Sequence, residues 1–327
     1  MTDNRLPLKA MRAVYSYYYP EIRKLISEIT SKYPHGELLK STSTVGLDNY
    51  EKPIVKKMVE FYKGEALGLD SFEYVYPTAG SSEGIYHLLS RIKVETPDLP
   101  IYTFAGEYEG YRECALGMGM KVVEVEENVD EIEKLPKGIW FISNPSARNG
   151  ARIENSLIKQ IADFGHQIVL DLAYLGMTEK YEFDLTHKNI VAVLTSMSKP
   201  FGLFYYRVGF TFARQPVKTL YGTKWFKNIF SLVIAEKVFE KFTARYFYDK
   251  YSPIKKEILE EIKKDTGITL RSSEALLLAH LTESDFEKLT SDQQNLVREY
   301  KRGNYYRLCL TKYFLEREGS KTEEKDI

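Results

Sequence analysis

Apolar residues recur at helical spacing from residue 8 to 31 with few breakers between them, so the chain's start reads as a helix. The stretch ELLKSTSTVGLDNY, 37–50, is polar and breaker-rich and reads as a connection. YEKPIVKKMVEFYKG restores the helical pattern, with Pro53 in its first turn and Gly64 at its end. From residue 72 the pattern alternates. FEYVYP (72–77), PIYTF, KVVEVE, GIWFIS (138–143), HQIVLDLA (166–173), NIVAVLT (189–195) and VGFTFA (208–213) read as strands. SSEGIYHLLSRI (81–92), YEGYRECALGMG, an acidic segment near 129–134 and ENSLIKQIADFG (154–165) read as the helices between them. This alternation predicts an α/β architecture, a mostly parallel sheet covered on both faces. Near-continuous apolar strands fit burial on both sides.

Beyond residue 216 the chain reads as mainly helical, with amphipathic stretches around 224–247 and 252–265. A short α+β tail follows: ITLR, ALLLAHL, a helix over 292–301 and the strand YYRLCL. The last stretch, EREGSKTEEKDI, is charged and is expected to fray. The predicted division is an N-terminal segment 1–45, a large domain 46–245 and a small C-terminal domain 246–327. The N-terminal segment would join the small domain and a subunit interface.

Charge and composition narrow the function. The 327 residues carry 46 basic and 46 acidic side chains, which gives no support for nucleic acid or an anionic membrane as partner. No apolar run approaches the ~20 residues of a membrane span, and the N-terminus lacks the apolar core of a signal peptide. Cys114 and Cys309 are far apart and are expected as reduced thiols of a cytoplasmic protein. The five histidines are scattered, so no metal site is read. The 25 tyrosines are unusual, and VYSYYYPEI (14–22) concentrates them. Such rings suit an interface or ligand pocket, and equally a helix packed by amphipathic rings.

In parallel α/β sheets, ligands bind at the carboxyl ends of strands. YPTAGSSEG places Gly80, Ser81 and Ser82 at a helix start, where free N–H groups and hydroxyls suit a phosphate. A plain serine cap with Glu83 in the first turn would look the same. Asn144-Pro145 follows GIWFIS and reads as a turn. Asp171 ends an apolar strand, where a buried carboxylate wants a cation or hydrogen-bond donor; it could also cap the next helix. Tyr174, three residues on, reaches the same region or belongs to the core. TSMSKPFGLFYYRVGF (195–210) sets Ser196, Ser198 and Lys199 after a strand, with Arg207 eight residues beyond the lysine. A lysine amine can condense with a carbonyl, and the serines and arginine can hold an anion. A phosphate cradle, a carboxylate that wants a cation, a lysine and an arginine together suit pyridoxal 5′-phosphate.

The chain here resembles the fold-type I pyridoxal-phosphate enzymes, in particular the class I/II aminotransferases typified by aspartate aminotransferase. The resemblance covers roughly residues 40–215 and rests on TAGSSEG, NPSARNG, DLAY and SMSKPFGLFYYRVG, in that order. It implies a three-layer large domain, a smaller α+β domain and a homodimer. Lys199 is similar to the lysine that forms the Schiff base and shuttles the proton. Asp171 is similar to the pyridinium partner, and Asn144 and Tyr174 to donors toward the ring's phenolic oxygen. Gly80, Ser81, Ser82, Ser196 and Arg207 resemble phosphate ligands, and Tyr108 in GEYEGY resembles the aromatic stacked on the ring. Arg307 in NYYRLCL resembles the arginine that grips a substrate's α-carboxylate, with Asn144 beside the substrate.

Two departures stand out. The family's second Asn-Pro is replaced by Arg148-Asn149 in NPSARNG, and the aromatic segment lacks its preceding proline, reading FAGEYEG. The tyrosine that a neighbouring subunit often sends to the phosphate has no counterpart in KSTSTVG. The resemblance implies amino transfer between an amino acid and a 2-keto acid. The same pocket would also serve a C–S lyase, decarboxylase or cyclase, and a non-catalytic cofactor-binding regulatory module is a third reading.

Overall fold

A computed structural model describes residues 8–14, 17, 19–32, 47–224 and 228–317. The expected connection falls largely at 33–46, and KSTSTVG falls wholly there, outside the described residues. Seven strands build the central sheet: β1 (Tyr74–Thr78), β2 (Ile101–Phe104), β3 (Val122–Val125), β4 (Ile139–Ser143), β5 (Gln167–Leu172), β6 (Ile190–Ser196) and β7 (Gly209–Ala213). Their spatial order is β1-β7-β6-β5-β4-β2-β3. Neighbours run parallel from β3 to β6, while β7 runs antiparallel to both β6 and β1. All five residues of β4 are buried, and Trp140 stacks on Tyr102 at 5.3 Å between ring centres. The apolar face of the helix Asn155–Asp163, with Ile158 and Ile161, packs into the same core.

Register decides where the site lies. Asp171 stands opposite Ser143 of β4 and Leu194 of β6. Gly209 stands opposite Ser196 of β6 and Thr78 of β1. The carboxyl ends of β4, β5, β6 and β1 therefore share one edge of the sheet.

A second, antiparallel sheet has the order β8-β9-β11-β10, from β8 (Arg271–Ser272), β9 (Leu278–Thr282), β10 (Lys301–Arg302) and β11 (Tyr305–Cys309). Met11 exchanges two 3.0 Å backbone hydrogen bonds with Cys309 of β11. Residues 8–14 thus lie along this sheet, and the helix expected over 8–31 is confined to Pro20–Lys32. Proline at the first helical position and its bias against helix in the residue before it explain the late start. Tyr17 and Tyr19 are buried, and Tyr19 stacks on Phe247 at 3.8 Å. These two rings pack the protein's own interior; Tyr15 and Tyr18 lie outside the described residues.

The helix expected from residue 50 begins at Leu47, which leaves Pro53 inside it. The helix expected over 292–301 stops at Val297, and β10 takes over at Lys301. Among the described residues no helix is long and apolar enough to cross a membrane, and no cluster of acidic, histidine or cysteine side chains is placed to hold a metal.

Candidate active site

The shared edge of the sheet borders a cavity of about 180 Å³. Ser81 and Ser82 reach it from the first turn of the helix Ser81–Glu95, and Tyr108 from the start of the helix Glu109–Gly117. Asp171 and Tyr174 come from β5 and the turn after it, Ser196 and Lys199 from β6 and its loop. Arg207 precedes β7, and Arg307 enters from β11 of the second sheet. One cavity thus gathers all but two of the residues expected from the sequence.

The two that are not on its wall are Gly80 and Asn144. Gly80 shapes it from behind: its φ is +76°, and a Cβ there would lie 2.7 Å from Nη2 of Arg207. That guanidinium donates from Nη2 to the Ala79 carbonyl at 2.7 Å, and Arg207 itself holds a φ of 51°, rare for a residue with a side chain. Asn144 turns its amide toward Ile153, accepting from its N–H at 2.9 Å and donating to its carbonyl at 2.8 Å. Its neighbour Ser143 lines the cavity in its place.

Asp171 is buried. Its Oδ2 accepts a 2.8 Å hydrogen bond from the Tyr111 hydroxyl; the Ala173 N–H also acts on the carboxyl, but its buried Oδ1 has no hydrogen bond of good geometry among the described residues. Burial pushes this carboxyl up to about 6, against the pull of Lys199 and Tyr111. Burial also lowers the Lys199 amine; Asp171 opposes the shift, while Arg307 and Arg207 add to it. The Lys199 Nζ lies 4.9 Å from the centre of the Tyr174 ring. The Ser198 N–H donates to Ser196 Oγ at 3.2 Å, which fixes the turn leading into the lysine.

Arg307 is buried and donates to two backbone carbonyls, Ala147 and Arg12, each at 2.6 Å. Its Nε is buried without a partner, and among the described residues no carboxylate pairs with it. The cavity's charged residues are Lys199, Arg207, Arg302 and Arg307 against Asp171 and Glu109. An excess of cations around an enclosed space suits a ligand with several negative charges.

Besides Ser143, three polar contributors to the site were not anticipated. Tyr111 lies three residues beyond Tyr108 on one helix, a spacing that puts both rings on one face, 5.4 Å apart. Arg302 stands opposite Tyr305 across a two-residue Gly303-Asn304 turn, a hairpin signal present in KRGNYY. Glu109 pairs with Arg302 at 2.9 Å at the cavity rim.

Comparison with known proteins agrees with this geometry. The family profile described as aminotransferase class I and II matches residues 13–290. Over 180 residues the chain is 28% identical to the chloroplastic histidinol-phosphate aminotransferase of Nicotiana plumbaginifolia, covering 50% of this chain and 42% of that protein. Over 271 residues it is 27% identical to the histidinol-phosphate aminotransferase of Thermoanaerobacter pseudethanolicus, covering 76% of this chain and 74% of that one. The match thus spans less than half the length of the first relative. A solved aminotransferase from Staphylococcus aureus superposes with a TM-score of 0.65 at 14% identity, over 95% of this chain and 93% of that chain, a likeness of fold. The seven-stranded sheet, the cavity at its carboxyl edge and the match over residues 13–290 converge: the chain belongs to the class I and II aminotransferases, whose cofactor is pyridoxal 5′-phosphate.

Proposed function

We propose that this protein moves an amino group between an α-amino acid and a 2-keto acid, with Lys199 as the group that holds the cofactor and carries the proton. The observation that carries the reading is the buried Oδ1 of Asp171, which has no hydrogen bond of good geometry, in the cavity that also holds Lys199. A buried carboxylate oxygen without a well-placed donor is costly unless a cation completes it, and a protonated ring nitrogen is such a cation.

The remaining residues fit the rest of the cofactor. Ser81, Ser82, Ser196 and Arg207 would hold its phosphate at a helix start, and Tyr108 would cover one face of its ring. Tyr174, a phenol that burial keeps protonated, would donate to the ring oxygen. Asn144 is assigned to shaping the turn, since Ile153 engages its amide. When bound, the cofactor supplies an electron sink for charge that develops at the substrate's α-carbon. Asp171 maintains that sink by holding the proton on the ring nitrogen. Lys199, shifted toward its neutral form, accepts the α-proton and returns it, a general-base role. Arg307, pinned by two carbonyls, offers its Nε to the substrate's carboxylate and so orients the bond that breaks. The proposal includes a homodimer, as the family resemblance implies.

The relatives' names favour a second reading for the donor, in which the anion at Arg307 is the phosphate of histidinol phosphate. Arg307→Lys tests both, because it keeps the charge and loses the planar fork. With about 1.5–3 kcal/mol per charged hydrogen bond, single-turnover rates of both half-reactions should fall by roughly ten- to a hundredfold, with cofactor binding unchanged. Donors should include common amino acids and histidinol phosphate. Unchanged rates with every donor would make Arg307 purely structural.

A further inference from the structure

The two segments that depart from the family pattern, FAGEYEG and NPSARNG, meet in the structure. Glu107 of the first and Arg148 of the second form an ion pair, Nε to Oε1 at 3.3 Å, with side chains only 1% and 4% exposed. Glu107 accepts from the backbone N–H of Ala147 at 3.1 Å and of Tyr108 at 3.3 Å, and from the Ser146 hydroxyl. Arg148 donates to Ser146 Oγ at 2.9 Å and to Glu127 at 2.7 Å. Its guanidinium lies 4.8 Å from the Phe104 ring at the end of β2, and 5.7 Å from the Tyr305 ring of β11.

These contacts converge on groups that face the cavity. The residue whose N–H Glu107 grips, Ala147, presents its carbonyl to Arg307. The other N–H belongs to Tyr108. Tyr305, beneath the Arg148 guanidinium, lies two residues before Arg307 and so on the same face of β11. We propose that Glu107 and Arg148 are a positioning pair that sets Arg307 and Tyr108 together, so that the substrate's anion and the cofactor ring keep a fixed relation. The proposal rests on the reading of Arg307 as the anion ligand. Neither member of the pair lines the 180 Å³ cavity, so neither is a catalytic residue.

A buried pair is sensitive to the loss of either member and tolerant of the loss of both, because a single loss strands a charge. The test compares the cofactor-loaded wild type with Glu107→Gln, Arg148→Met and the double variant. One readout is KM and kcat for an α-amino acid donor. A second, which needs no turnover, is the calorimetric affinity for propionate, a carboxylate that cannot react. A third is the absorbance band of the bound cofactor. Each single variant should raise KM and weaken propionate roughly tenfold or more, with a smaller change in kcat and an unchanged band. The double variant should be no worse than the worse single one. Arg148→Lys, which keeps the charge and loses the fork, should fall between and guards against a variant that fails to fold. Lowered melting temperature with unaltered KM and propionate affinity would overturn the proposal, as would strictly additive losses. Loss of propionate binding in the variants of a protein that transaminates no donor would uphold the pair and overturn the transamination reading alone.

Discussion

Lys199→Ala should stop turnover, with a fall of about 10⁴-fold, the upper range of what a positioned proton carrier contributes. Among the described residues its amine is the one lysine nitrogen on the cavity wall, and burial shifts it toward the neutral form in which it can accept a proton. The wild type loaded with cofactor should be yellow, and borohydride reduction should fix the cofactor's mass on the peptide that contains Lys199. In Lys199→Ala no peptide should carry that mass. Label on another lysine would remove the assignment.

Asp171→Asn should separate function from stability. With its partner for the ring nitrogen neutralised, the loaded variant should turn over roughly two to four orders of magnitude more slowly, following the roughly 3–5 kcal/mol lost when a buried pair is broken. The cofactor-free protein should respond in the opposite direction. Burial raises the Asp171 carboxyl from 3.8 to about 6, so across that window the native state holds more protons than the unfolded chain. This group's contribution to stability therefore falls as pH rises through the window, and above it stands as a penalty of roughly 3 kcal/mol. An asparagine at this position carries no such penalty, so the cofactor-free variant should unfold at higher denaturant than the wild type at about pH 7. The advantage should vanish near about pH 4, where the wild-type carboxyl is neutral in the folded state. A variant that is less stable than the wild type at neutral pH would show that Asp171 is a structural cap.

Much of this arrangement was legible in the sequence because local pattern and long-range structure agree there. The inner strands of the central sheet are almost entirely buried on both faces, so their composition shows them without knowledge of their neighbours. The strand-end rule then led to Asp171, Ser196 and Lys199, and the family resemblance of NYYRLCL led to Arg307, which is buried on the cavity wall. What stayed hidden depends on distant partners. Residues 8–14 have a helical spacing, yet Met11 satisfies its backbone on Cys309, near the far end of the chain. Asn144 read as a turn by its position and as a ligand by the family resemblance, and its hydrogen bonds to Ile153, nine residues downstream, are not local to that turn. Glu107 and Arg148 were visible only as departures from a pattern. Nothing local in either segment shows that the two meet. Tyr111 and Arg302 did carry signals, the i to i+3 spacing and the Gly-Asn turn, which mark residues sharing a face or a hairpin.

The central claim, amino transfer, is tested most directly by following the cofactor's absorbance through two additions. An amino donor is added first, with no acceptor present, and then a 2-keto acid. If Lys199 and Asp171 act as derived above, the first addition shifts the loaded protein's visible band to the shorter wavelength of the cofactor's amine form, with one equivalent of keto acid released. The second addition restores the original band. A donor that is consumed with release of carbon dioxide, ammonia or a thiol, and no conversion of the cofactor to its amine form, would contradict the claim and assign the same pocket to a different reaction.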